Sequence, residues 1–242
     1  MKSSRRLFFR AGRDEENPYW ISFSDIMSGL LIIFILASLV LILELSQRKE
    51  MIDRKILERA KAEQVRREVL QEIKEELRRK GILVEVSDNE TVLRIPDDQL
   101  AFDTNAYELP ADERYQNAVF EIGCALYRAI TRENRLDYFD TIFIEGHTDI
   151  RPSPRVMGNW GLSTFRAITI WNYWNEFLGA DMRLESLRNQ QGLPLFSVSG
   201  YAETRPVTDI QESEDDYRRN RRIDLRFTVY HPKLDDILSI MD

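Results

Sequence analysis

The sequence holds few side chains whose types and spacing can do chemistry, and the first is an aspartate at the edge of an apolar run. In Trp20-Ile21-Ser22-Phe23-Ser24-Asp25-Ile26-Met27-Ser28-Gly29-Leu30-Leu31, Asp25 stands just ahead of an uncharged stretch that continues to Leu43. An ionised aspartate at the centre of a bilayer costs about 2.5–3.5 kcal/mol, and less toward the ends of a span, so it requires a partner, a proton or water and should face protein. A carboxylate so placed can take up and release a proton or a sodium ion from a narrow aqueous path. The alternative is a helix cap, in which Ser24 or Asp25 accepts from the first free N–H groups at headgroup level. Tyr19 and Trp20 mark an interface, where aromatic residues gather, and put Asp25 more than one turn deeper.

The second arrangement is Asp149 with Arg166. Asp149 closes a strand and Arg166 lies on the first turns of the next helix, so the loop between them can fold both toward one pocket. A carboxylate receives an ammonium, and a guanidinium grips a carboxylate with two parallel hydrogen bonds; together they recognise the zwitterionic end of an amino acid. On spacing alone, a structural ion pair fits somewhat better. Elsewhere no acid/base pair, no nucleophile with histidine and no metal triad has plausible spacing, which argues against an enzyme. The single cysteine, Cys124, and the two histidines, His147 and His231, cannot assemble a zinc site, and no cofactor or metal is expected. Cys124 reads as a buried structural thiol, His147 as a ring stacked within the fold, and Trp160, Trp171 and Trp174 as core or helix-face aromatics.

These residues need elements to hold them. The chain has 242 residues and a net charge of −7, which argues against direct binding to nucleic acid because phosphate affinity rests on surplus Lys and Arg. Lys2, Arg5, Arg6, Arg10 and Arg13 form an acid-free tail ahead of the apolar run. That run is longer than a signal-peptide core and no small-residue cleavage site follows, so it reads as an uncleaved transmembrane helix. Basic residues on both sides leave its orientation undecided by charge. From Glu44 to Lys80 there is no Gly or Pro, and opposite charges recur three or four apart, predicting one long helix. Leu45, Ile52, Ile56, Val69, Leu70, Ile73 and Leu77 form a ragged seam on it, compatible with a solvated helix or a parallel dimer contact.

After Gly81, strands are expected at Ile82–Val86, Thr91–Ile95, Thr141–Glu145, Phe196–Ser199 and Ile223–Tyr230. Helices are expected at Ala111–Arg132 and Leu162–Leu178. This order predicts an α+β fold with helices covering one side of a small mixed sheet.

Four segments strengthen the reading. Ile144-Glu145-Gly146-His147-Thr148-Asp149, Asn159-Trp160-Gly161-Leu162-Ser163-Thr164-Phe165-Arg166-Ala167, Gly200-Tyr201-Ala202-Glu203-Thr204-Arg205-Pro206-Val207 and Asn220-Arg221-Arg222-Ile223-Asp224-Leu225 resemble, in order, the motifs of the OmpA-like family. The resemblance implies a periplasmic domain that holds the diaminopimelate of peptidoglycan. Asp149 would take its amine, Arg166 its carboxylate, and Thr148 and Asn159 would add hydrogen bonds. It also implies that Asn220, Arg221 and Arg222 mainly tie the motif loops together. The loop from Ile150 to Gly158, with Pro152 and Pro154, is slightly longer than the family's.

The segment around Asp25 resembles the transmembrane helix of the MotB family of stator subunits, in which that aspartate carries the ion. The domains expected are a cytoplasmic tail over 1–19, a transmembrane helix over 20–45, a charged linker helix over 46–80 and an OmpA-like peptidoglycan-binding domain over 81–242. By resemblance, two copies form a homodimer within five copies of a multi-span A-subunit in the bacterial inner membrane. The span and the absence of a long plug-bearing linker look closer to the B-subunit of the Zorya anti-phage system than to flagellar MotB. A passive wall tether is the alternative in which Asp25 is silent. Residues 47–59 could also plug the channel until the wall is bound.

Overall fold

The computed structural model describes residues 18–100 and 102–230, and these fall into two compact units divided after Arg54. The basic tail and His231 lie outside the described residues.

The first unit is the N-terminal part of helix α1 (Pro18–Arg79). Its apolar side chains from Ile26 to Leu43 are exposed on every face. A helix that is apolar all round is covered by lipid or by other protein, and this one is long and apolar enough to cross a membrane. Because α1 has begun by Pro18, Asp25 lies about two turns inside it and has no end of helix to cap. This corrects the capping alternative. The carbonyl of Ser24 accepts from the Ser28 hydroxyl at 2.7 Å.

The second unit is built on a five-stranded sheet of order β1-β2-β5-β3-β4. Strands β1 (Glu85–Ser87) and β2 (Val92–Pro96) form a hairpin whose turn places Asp88, Asn89 and Glu90 in the left-handed region. β5 (Arg222–Val229) runs antiparallel between β2 and β3 (Phe139–His147). β3 and β4 (Phe196–Gly200) are parallel, and the crossover that a parallel pair requires is supplied by α4 (Gly158–Phe177). Helix α2 (Asp97–Leu100) follows β2. Helix α3 (Glu113–Thr131), N-capped by Asp112, shares the core with α4, and its Val119 carbonyl accepts from the buried Trp174 indole at 2.7 Å. Helix α5 (Glu214–Asn220) opens with a capping box between Ser213 and Asp216.

The charged segment expected as a linker over 46–80 divides in two. Leu45, Ile52 and Ile56 are exposed, whereas Val69, Leu70, Ile73 and Leu77 are fully buried in the core with α3 and the sheet. Those four recur at helical spacing and form the apolar stripe that the domain uses. Ion pairs from Glu72 to Arg132 and Arg135 at 2.9 and 2.8 Å, and from Glu76 to Arg128, flank the stripe. The last turns of α1 are therefore part of the globular unit, which begins well before Gly81, and this end of the seam is not available for a dimer contact.

The strands alternate with a period of two. Leu93, Ile95, Ile142, Ile144, Ile223, Leu225 and Phe227 enter the helix-covered core. The residues between them carry charge yet are also buried: Asp224 and Glu145 are wholly so, and Arg94 and Arg222 nearly so. Register places Asp224 opposite both Arg94 and Glu145. Arg94 donates two hydrogen bonds to Asp224 at 3.0 and 3.1 Å, Arg222 one at 2.9 Å, and Arg226 grips Glu145 at 2.9 and 3.1 Å.

Two glycines seat α4. Gly146 of β3 and Gly200 of β4 are register partners, and α4 crosses directly above them. A Cβ on Gly146 would stand 1.9 Å from the Ser163 carbonyl oxygen, and one on Gly200 2.1 Å from Thr164 Oγ1. Neither backbone can retreat, so Gly146→Ala is expected to cost about 3 kcal/mol through overpacking. Thermal unfolding followed by near-ultraviolet circular dichroism measures this; an unchanged transition would show that α4 can lift without loss.

Candidate functional site

Seating α4 on the glycines puts Asn159 in its first turn and Arg166 two turns on, beside the end of β3 where Thr148 and Asp149 leave the sheet. All four line one cavity of about 520 Å³, together with Phe102 from the loop after α2, Arg151 from the 150–158 loop, Glu214 and Arg218 from α5, and Arg221 at its C-cap. The sequence-derived set thus meets at one place. The bonding inside that place differs from a simple carboxylate facing a guanidinium.

Arg166 is 3% exposed, lies over the Phe102 ring at 5.0 Å, and donates from Nε to the Ala106 carbonyl at 2.9 Å and from Nη2 to the Asp103 carbonyl at 3.2 Å. Burial pushes its pKa down to about 10, which leaves it cationic at neutral pH. A guanidinium has five N–H donors, so the backbone braces Arg166 and leaves donors for a ligand carboxylate.

Asp149 is not free. Its carboxylate accepts from the Arg151 guanidinium at 2.6 Å, from the Arg151 backbone N–H at 3.0 Å and from Arg221 Nη1 at 2.9 Å. Burial acts to raise its pKa, but these hydrogen bonds outweigh burial and hold it below the usual carboxylate range. Arg221 also takes Asp97 at 2.8 Å and Glu214 at 2.9 Å. Arg151 is the looser partner: its side chain is half exposed, stacked over Tyr217 at 4.2 Å and paired with Glu214 at 3.2 Å. An incoming ammonium would share Asp149 with Arg221 and displace Arg151.

Thr148 and Asn159 play different parts. The Thr148 hydroxyl is buried with no hydrogen-bond partner, while Asn159 is spent on the loop. Asn159 Oδ1 accepts from the Ser153 N–H at 3.0 Å, and Nδ2 donates to the Arg151 carbonyl at 3.1 Å and to Glu203 at 3.0 Å. Asn159 fixes the loop that carries Arg151. Sequence reasoning missed Arg151 and Glu214 as cavity residues, and no spacing signal marked them. Asn220 and Arg222 hold the later motifs in place: Asn220 accepts from the Val207 N–H at 2.7 Å, and Arg222 donates to the Arg205 carbonyl at 2.9 Å.

Ligand atoms of Glu145, His147 and Asp224 lie within 4.8 Å of one another, the spacing of a metal site. Their surroundings oppose a cation, because Arg94 and Arg222 already donate to Asp224 and Arg226 to Glu145. His147 stacks on Tyr201 at 5.4 Å, and burial, then Arg222, lower its pKa to about 3. Its folded pKa lies below the ordinary 6.5, so between those values the unfolded chain binds more protons and stability falls as pH falls. The depressed pKa values of Asp149 and Asp224 act in the same direction at lower pH. From pH 7 to 5 the histidine alone should remove roughly 2 kcal/mol, and His147→Phe, which keeps the stack, should flatten the dependence. Equal slopes for the two proteins in pH-dependent unfolding would refute this.

The mixed sheet, its parallel pair bridged by α4, and the Asp149–Arg166 cavity at the carboxyl end of β3 define an α+β module with one charged cavity beside its parallel strands. The chain belongs to the OmpA family, which matches residues 101–221. Among solved structures it is similar to a MotB-like protein from Desulfovibrio vulgaris, with a TM-score of 0.51 at 22% identity over 71% of this chain and 99% of that one. The cell wall anchor of the T6SS from Pseudomonas aeruginosa gives 0.47 at 21% identity over 66% and 97%, respectively. The periplasmic domain of Helicobacter pylori MotB gives 0.46 at 19% over 66% and 88%. No curated protein sequence matches the chain.

Proposed function

We propose that this chain is a single-pass inner-membrane subunit whose OmpA-family domain grips peptidoglycan in the periplasm. The observation that carries this reading is the 520 Å³ cavity, where a braced Arg166 with spare donors stands near a carboxylate whose looser guanidinium can leave. Arg166 takes the carboxylate of a diaminopimelate side chain, Asp149 its ammonium, and the unpartnered Thr148 hydroxyl a further hydrogen bond; Asn159 positions the loop. The apolar part of α1 supplies the anchor, with the tail cytoplasmic.

The finer reading is the B-subunit of an ion-driven stator, two copies within five of a multi-span A-subunit, with Asp25 carrying a proton or sodium ion. An acid two turns inside an apolar helix supports it, since such a group belongs at a protein interface or water path. The charged stretch from Glu44 to Lys80, with no Gly or Pro and no long linker after it, favours an anti-phage motor of the Zorya type over a flagellar stator. Co-sedimentation of the full-length protein with purified peptidoglycan, competed by free diaminopimelate, tests the anchor, and no retention would overturn it. Phage plaquing on cells carrying the native operon, intact or lacking this chain, tests the finer reading; equal plaquing with lost swimming would make it flagellar.

A further inference from the structure

The sheet face turned from the helices opens into a second cavity, of about 260 Å³, that shares no residue with the Asp149–Arg166 cavity. Arg94, Arg205, Arg222 and Arg226 line it together with Asp88 and His147. Three of these arginines have carboxylate partners: Arg94 and Arg222 bond Asp224, and Arg226 bonds Glu145 and Asp88. Arg205 has none among the described residues; its guanidinium lies over the Tyr201 ring at 3.8 Å, held at the mouth by a cation–π contact. Below it, His147 is 1% exposed and neither of its ring nitrogens has a hydrogen-bond partner.

Two features need explanation. A buried polar group without a hydrogen bond costs about 1–3 kcal/mol and calls for an explanation, and the nearest carboxylate oxygen to His147 Nε2, of Asp224, stands at 3.6 Å, beyond hydrogen-bond distance. Four guanidiniums against three carboxylates also leave the cavity positive. Among the described residues, Nη1 of Arg94 and of Arg226 makes no hydrogen bond, so donors remain on β2, on β5 and on the loop after β4. A planar carboxylate needs one fork, whereas donors converging from three elements suit a tetrahedral oxyanion with acceptors in several directions.

We propose that this cavity binds a phosphoryl group, as inorganic phosphate or a phosphate monoester, with Arg205 closing over it and His147 donating from below. Titration calorimetry of inorganic phosphate and of glycerol 3-phosphate into the full-length protein in detergent tests this. Saturable binding is expected, about tenfold weaker in Arg205→Ala, intermediate in Arg205→Lys, and undisturbed by saturating diaminopimelate. Arg205 is exposed, so its truncation leaves the fold intact. The His147 ring nitrogen resonances should move on adding phosphate to the wild type and need about tenfold more phosphate to move as far in Arg205→Ala. Absence of saturable binding, or binding indifferent to Arg205→Ala and displaced by diaminopimelate, would overturn the assignment.

Discussion

Arg166→Ala is expected to lower retention on purified peptidoglycan by more than about 100-fold, because it removes a desolvated, bidentate, charge-assisted contact and leaves a ligand carboxylate buried without a counter-charge. The side chain also braces the Ala106 and Asp103 carbonyls, so truncation loosens the loop that forms one wall of the cavity. Arg166→Lys separates the two roles. It keeps the charge without the fork and should fall between wild type and Arg166→Ala, about tenfold down. Near-ultraviolet circular dichroism of both variants reports whether the fold survives. A folded Arg166→Ala that still sediments with the wall, still displaced by diaminopimelate, would reduce Arg166 to a loop brace and move the carboxylate contact to Arg218 or Arg221.

The sequence made the sheet and its two large helices readable because their alternation and helical periodicity are local. The order of the motifs also placed Thr148, Asp149, Asn159 and Arg166 close together, since three of the four segments meet where Ser163 crosses Gly146 and Gly200. The partners of the charges were not readable. Arg94 and Asp224 are 130 residues apart, and the pattern Ile223-Asp224-Leu225-Arg226-Phe227 looks like any strand with one wet face. Only the register shows that this second face is a buried ion network. The occupant of Asp149 was hidden for a related reason: Arg151 stands two residues on, but its direction is set by Tyr217 and Glu214 of α5, a short charged helix with no apolar periodicity. The charged run of α1 misled in the opposite sense. Its middle is polar all round, so the stripe from Val69 to Leu77 reads as one end of a solvated or dimer-forming seam, whereas it belongs to the core.

Asp25→Asn is expected to abolish ion flux and phage protection while leaving wall retention unchanged. Asparagine has nearly the same shape and keeps α1 helical, but it cannot bind and release a proton or form an ion pair with sodium, so the loss isolates the charge. The change also removes the cost of an ionised acid at membrane depth, about 2.5–3.5 kcal/mol at the centre of a span and less toward its ends. The variant should therefore insert at least as well as the wild type, and reduced abundance cannot explain its failure. Asp25→Glu retains a titratable group displaced by one methylene and should keep part of the flux. Proton and sodium flux measured separately in cells carrying the native operon would identify the ion. If Asp25→Asn leaves flux and protection intact while Arg166→Ala removes protection, the chain is a passive tether. In that case the aspartate must be satisfied by a neighbouring helix without moving charge.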